Sequence, residues 1–284
     1  MPTLELADLK LHYLDEGEGA PLLLLHGWPE WSAVWERVIA RLKGRFRLIA
    51  PDLRNFGDSV GAETRDIAHY VSDLTALVDH LELTRFGIVG HDVGGFLMQD
   101  FVRAQPERVS GLFFFDCPHF GIGKRWTEKG QVREIWYQSF QQLPLAPALV
   151  GSSREATRLY FSYFLSHWSH HADAFSVEDV ERWVDTFSKP GRLEGGFRWY
   201  QVANALRLKA LESSAPERPP MIDTPACSLW GEHDPILRYE WQETLRDVFT
   251  NIELLKAENS AHFVHWEQPN LAAKEIARFF ENLS

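Results

Sequence analysis

The chain has 284 residues, a net charge of −11, and 45% hydrophobic against 24% charged residues. That composition buries a large core, and the length points to one large domain or one domain carrying an insertion. The acidic balance argues against nucleic acid, whose phosphates demand clustered Lys and Arg. No apolar run approaches the ~18 residues of a membrane-spanning helix, and the first dozen residues show no signal-peptide core. Cys117 and Cys227, the only cysteines, are too few for a disulfide framework or a Cys-rich zinc site. The expectation is a soluble, cytoplasmic protein with neither a nucleic-acid nor a membrane partner. Its unusual feature is aromatic content: 11 Trp, 19 Phe and 7 Tyr.

In chain order, residues 10–15 alternate in hairpin fashion before the Gly-rich turn 16–20. Residues 22–25 and 46–50 read as fully buried strands. Ile67, Tyr70, Val71, Leu74, Leu77, Val78 and Leu81 recur at helical spacing and predict an amphipathic helix. A buried strand over 86–90, a helix over 94–104 and a third buried strand over 111–116 follow. A strand over 226–230, a helix over 239–248, a strand over 252–255 and a helix over 271–282 resume the pattern. Strands alternating with helices predict a parallel sheet covered on both faces. The interval 118–207 breaks this rhythm: it offers helices over 154–168 and 177–187, no convincing strand, and five of the 11 Trp with four of the seven Tyr. It reads as a helical cap over an active site. The core domain is then residues 1–117 and 208–284, and the Pro- and Glu-bearing stretch 215–220 marks the return to it.

Gly90-His91-Asp92-Val93-Gly94-Gly95 lies between a predicted buried strand and a predicted helix. Glycines flanking a central residue suit a sharp strand-to-helix turn, where backbone and side chains crowd. Here the central residue is Asp92. Together with His26-Gly27-Trp28-Pro29 and Asp52-Leu53-Arg54-Asn55-Phe56-Gly57-Asp58-Ser59, this pattern resembles the α/β-hydrolase family from residue 22 to residue 269. The resemblance implies an α/β-hydrolase fold: a mostly parallel central sheet flanked by helices, with a helical cap inserted after the sixth strand. It also implies two partners for Asp92 in the order nucleophile, acid, histidine. Asp234, in Gly231-Glu232-His233-Asp234-Pro235, and His262, in Ser260-Ala261-His262-Phe263, hold those places. Singly, each residue has an ordinary reading as a turn, a helix N-cap or a solvated loop. His265 competes with His262, but the pattern His262-Phe263-x-x-x-Glu267-x-Pro269 favours His262. Asp116 competes with Asp234, because some relatives take their acid from that strand end. His167, His170 and His171 share one region without a nearby carboxylate pattern, and no metal is assigned to them.

An aspartate nucleophile narrows the reaction. A carboxylate with reference pKa ~3.9 is already ionised at neutral pH. Attack on an ester or amide yields a reactive anhydride, whereas displacement at saturated carbon yields an ordinary ester. Epoxides and carbon–halogen bonds are the matching substrates. His262, held by Asp234, then activates water against the Asp92 ester, and the resemblance puts the oxyanion donors at the backbone N–H groups of Trp28 and Val93. Epoxide hydrolases of this fold carry two cap tyrosines that protonate the opening oxygen, and Tyr137 and Tyr200 match them in context. Haloalkane dehalogenases often place Trp directly after the nucleophile, where this chain has Val93. Fluoroacetate dehalogenases need arginines where it has Val93 and Phe96. The resemblance therefore implies an epoxide hydrolase making a vicinal diol, with haloalkane or haloacid dehalogenation as the alternative and a non-catalytic ligand-binding homologue as a further one. Trp28, Phe96, Trp136, Phe140 and His265 are the expected pocket walls. A small apolar epoxide and water are the expected partners, with no cofactor and no metal.

Overall fold

A computed structural model describes residues 2–212 and 218–283. Nine strands form one sheet: β1 (Thr3–Glu5), β2 (Leu9–Glu16), β3 (Ala20–Leu25), β4 (Phe46–Pro51), β5 (Val60–Gly61), β6 (Phe86–His91), β7 (Val109–Phe115), β8 (Ala226–Gly231) and β9 (Ile252–Ala257). Their spatial order is β1-β2-β4-β3-β6-β7-β8-β9, with β5 on β2. From β4 to β9 every neighbouring pair is parallel; β1, β2 and β5 pair antiparallel at one edge.

The apolar runs sit where both faces of the sheet are covered. Leu22, Leu23, Leu24 and Leu25 are all buried in β3, as are Leu112, Phe113, Phe114 and Phe115 in β7, because parallel strands lie between two helical layers. The helices Glu36–Leu42 and Pro269–Glu281 pack together on the sheet, and Ile67–His80 packs on Asp92–Ala104. Asp66 caps Ile67–His80 by accepting the His69 N–H at 2.9 Å.

Between β7 and β8 the described residues form helices and no strand, apart from an isolated bridge of Ile222 to Phe249. The helices include Trp136–Phe140, Leu145–Val150, Arg154–His167, Val177–Phe187 and Arg192–Glu212. β7 is the sixth strand when the two-residue β5 is set aside. The helix Arg192–Glu212 runs through residue 207, so the boundary expected there falls inside a helix. Of the stretch 215–220, residues 215–217 lie outside the described residues. Ser153 and Ser176 cap two of these helices, the second through a reciprocal box with Asp179. The helices are tied to the sheet's loops: Trp183 Nε1 donates to the Pro29 carbonyl at 2.6 Å, and Arg192 Nε donates to the Gly57 carbonyl at 2.6 Å. None of the described helices is long and apolar enough to cross a membrane.

Two local expectations are corrected. β2 does not form a hairpin with β3 across the Gly-rich turn; it pairs with β1, β4 and β5, because the parallel neighbours of β3 are β4 and β6. The segment expected as a helix over 239–248 is a 3₁₀ helix, Tyr239–Asp247.

Parallel register brings the carboxyl ends of β3, β6, β7, β8 and β9 to one edge, the usual place for a site in such sheets. Close backbone approach there requires glycine. A Cβ on Gly94 would overlap the Leu25 carbonyl oxygen, and one on Gly90 would crowd Gly95. We predict that Gly94→Ala costs about 2 kcal/mol or more, measured by urea unfolding; an unchanged midpoint and slope would contradict this packing.

Candidate active site

Asp92 follows β6 and opens the helix Asp92–Ala104 with φ +44°, a left-handed conformation imposed by the turn. Its N–H donates to the Asp116 carbonyl at 3.1 Å. Its Oδ2 accepts the Trp28 N–H at 3.0 Å. The peptide bond between Trp28 and Pro29 is cis. Burial pushes the Asp92 carboxyl up from its ordinary value, and His262 and His91 pull it back. Val93 is buried directly after it.

His262 and Asp234 come from the loops after β9 and β8. His262 Nδ1 lies 2.8 Å from Asp234 Oδ2, and Asp234 Oδ1 accepts the N–H groups of Ile236 and Leu237 at 2.7 and 3.0 Å. His262 Nε2 is buried without a partner, and the backbone N–H of His262 donates to the Trp168 carbonyl at 2.9 Å. Burial lowers the basicity of this ring, but Asp234 and Asp92 outweigh it and raise the pKa to about 9. Asp116 does not hold the imidazole in this geometry: its Oδ1 accepts the Gly231 N–H at 2.9 Å.

Above Asp92 the aromatic side chains close round Trp28. Tyr137 stacks on its ring at 5.5 Å and 9°, and Tyr200 meets it edge-on at 5.6 Å. The two phenol rings lie 5.4 Å apart. Gln138 Nε2 donates to the Tyr137 hydroxyl at 3.3 Å. Burial pushes both phenols up, with further contributions from the Asp92 charge and, for Tyr200, from Tyr137. Both therefore keep their protons at neutral pH.

The other expected pocket walls separate. Phe96 meets Phe120 and Trp199. Trp136 is 42% exposed, with Phe140 and Tyr163 against it, and its inner face stacks on Phe164 and meets Tyr137. His265 is corrected more sharply. It is fully buried behind the Asp92 turn, its Nε2 3.1 Å from Glu30 Oε1 and its ring against Trp35 and Phe115. His167 pairs with Glu134 at 2.8 Å, while His170 stacks on His233 and adjoins His171.

Glu30 escapes sequence reasoning, although it directly follows Trp28-Pro29. Its Oε2 accepts the Gly27 N–H at 2.6 Å and faces His91 Nδ1 at 2.9 Å. His91 Nε2 faces the His262 carbonyl at 2.9 Å. Both His91 ring nitrogens thus face acceptor oxygens, one on Glu30 and one on the His262 backbone. Burial pushes Glu30 up, but His91 and His265 hold it well below the usual carboxylate range. His265 itself is pushed down to about 4, chiefly by burial. Glu30 thus joins the loops bearing Trp28, Asp92 and His262. Glu30, His91 and His265 bring ligand atoms within 4.8 Å of one another, but the facing atoms are engaged in these hydrogen bonds. Glu267, part of the motif that marks His262, braces the same loop: it accepts the N–H groups of Ala261 at 3.0 Å and His170 at 2.7 Å.

The chain belongs to the α/β-hydrolase fold family, whose model matches residues 20–269. Its relatives place it in the epoxide hydrolase branch. It is 31% identical to the soluble epoxide hydrolase of Corynebacterium sp. (strain C12), across 96% of this chain and 94% of that one. It is 27% identical to human epoxide hydrolase 4, across 96% of this chain and 76% of the relative. Among solved structures, epoxide hydrolase CorEH without ligand superposes with a TM-score of 0.84 at 27% identity, covering 100% of this chain and 99% of that one.

The depressed Glu30 carboxyl contributes stability above the ordinary Glu value of 4.5, which is lost as pH falls through its folded value. Glu30→Gln is expected to cost about 3 kcal/mol at neutral pH, with the gap to wild type shrinking in acid. Denaturant unfolding across pH checks this; a pH-independent gap would contradict it.

Proposed function

We propose that this hydrolase opens an epoxide to a vicinal diol in two steps. The observation that carries the reading is the convergence on Asp92 of the Trp28 N–H, the Asp234–His262 pair and the protonated Tyr137 and Tyr200. Kinship with epoxide hydrolases supports the same substrate class.

In the first step the Asp92 carboxylate attacks a ring carbon. The Trp28 N–H holds Oδ2, leaving the other oxygen as nucleophile. The carbon–oxygen bond of the ring breaks as Tyr137 and Tyr200 hydrogen-bond the departing oxygen and supply its proton. Their buried position favours this role, since an ionised phenol there would lack hydration. An ester now links Asp92 to the substrate.

In the second step His262 takes a proton from water through Nε2, and the water oxygen attacks the ester carbonyl carbon. The N–H groups of Trp28 and Val93 stabilise the oxyanion. Collapse breaks the ester carbon–oxygen bond, the second proton of the attacking water passes to the leaving oxygen, and Asp92 is restored as the diol departs, while the proton on His262 returns through solvent to the phenol. Esterification removes the Asp92 charge, one of the influences that raise His262, so the imidazole becomes easier to use as a base at the stage that needs one. In this reading residues 118–207 act as a cap that excludes bulk water and presents the tyrosines.

His262→Gln is expected to accumulate the Asp92 ester, seen by intact mass after adding an aryl epoxide such as styrene oxide; no adduct with a substrate that wild type turns over would contradict the mechanism. Tyr137→Phe and Tyr200→Phe should each lower the rate of ester formation by about tenfold or more, and the double variant by about 10²–10⁴. Stopped-flow alkylation rates test this, and wild-type rates in the double variant would remove the tyrosines from the chemistry.

A further inference from the structure

Asp116 directly follows β7, fully buried and with φ +24°. Neither proposed step uses its side chain. Its Oδ1 accepts the Gly231 N–H at 2.9 Å, and its buried Oδ2 faces no donor. Gly231 begins the turn that carries Asp234, whose N–H approaches the Gly231 carbonyl at 3.4 Å. Both carboxyl groups therefore meet the same buried turn at Gly231, close enough for the Asp234 charge to act on Asp116.

Two carboxylates meeting away from water cannot both carry charge without heavy cost; such a pair retains a proton. The hydrogen bonds decide which member keeps it. Asp234 already accepts from the N–H groups of Ile236 and Leu237 and faces the His262 ring, three partners that use it as an acceptor. Asp116 receives one. Burial and the Asp234 charge push Asp116 well above the usual carboxylate range, with Glu267 adding to the effect.

We propose that Asp116 is a neutral carboxylic acid that donates its proton to Asp234, a positioning contact that moderates the charge Asp234 presents to His262. The inference rests on the Asp234–His262 reading above. The proton stays on Asp116 throughout turnover, and no bond to substrate forms there. Besides Asp234, the groups acting on His262 are Asp92, Glu30 and the rings of His91 and Trp168. Replacing Asp116 therefore changes one contribution among several, and the sign of the change reports its protonation.

The test combines infrared spectroscopy of the resting protein with the pH dependence of ester hydrolysis in wild type, Asp116→Asn and Asp116→Ala. At about pH 8, far above the reference carboxylate value, wild type should show the carbonyl band of a protonated carboxyl that Asp116→Asn lacks. Absence of the band would overturn the proposal, and this arm needs no turnover, so it stands apart from the epoxide reading. The amide of Asp116→Asn still donates to Asp234, and the acid limb should stay where it is. If Asp116 were ionised, removing its charge would lower that limb by about one unit or more, which would overturn the proposal. Asp116→Ala removes the donor and should move the limb upward; should that variant not fold, Asp116→Asn and the infrared band decide.

Discussion

The buried pair of Asp234 and His262, 2.8 Å apart, is the interaction on which the site depends. An imidazole taken out of water loses basicity unless an anion is held against it. Asp234 is that anion, and it is held in turn by two backbone N–H groups of its own turn. The pair exists because β8 and β9 are parallel neighbours whose carboxyl ends open loops at the same edge. Gly231 permits the approach, since a Cβ there would overlap the Ala261 carbonyl oxygen. Charge is balanced at the histidine loop, where Asp234 and Asp92 both act on His262.

Trp28 links this polar layer to the aromatic one. Its backbone N–H serves Asp92, while its ring carries Tyr137 and Tyr200. One residue thereby ties the phenols to Asp92. Trp168 performs a comparable service for the histidine loop, because its carbonyl accepts the His262 N–H and its ring packs on the imidazole at 5.1 Å. The high aromatic content has its physical place here: large rigid rings close a site and contribute few polar groups needing partners.

Much of this is legible in the sequence. Uninterrupted apolar runs such as Leu22 to Leu25 identify strands buried on both faces, and the glycines round Asp92 mark a turn with no room for side chains. The order of Asp92, Asp234 and His262 follows from motif position. Other features depend on contacts distant in sequence. Nothing local tells that β2 pairs with β4 rather than with β3, or that His265 turns inward to Glu30 instead of toward a substrate. Trp136 and Tyr137 are adjacent, yet one is half-exposed and the other buried, a difference set by the helix's orientation. Asp116 and Asp234 become distinguishable as histidine partners only once the loop after β8 has a place in space.

In the proposed mechanism water attacks the Asp92 ester rather than the epoxide. A single turnover in water carrying a heavy oxygen isotope, with protein in excess over an aryl epoxide, tests it most directly. The heavy oxygen is expected in the Asp92 carboxylate, found by mass analysis of the peptide containing it, and the diol of that first turnover is expected to be unlabelled. Heavy oxygen in the diol with an unlabelled Asp92 would contradict it.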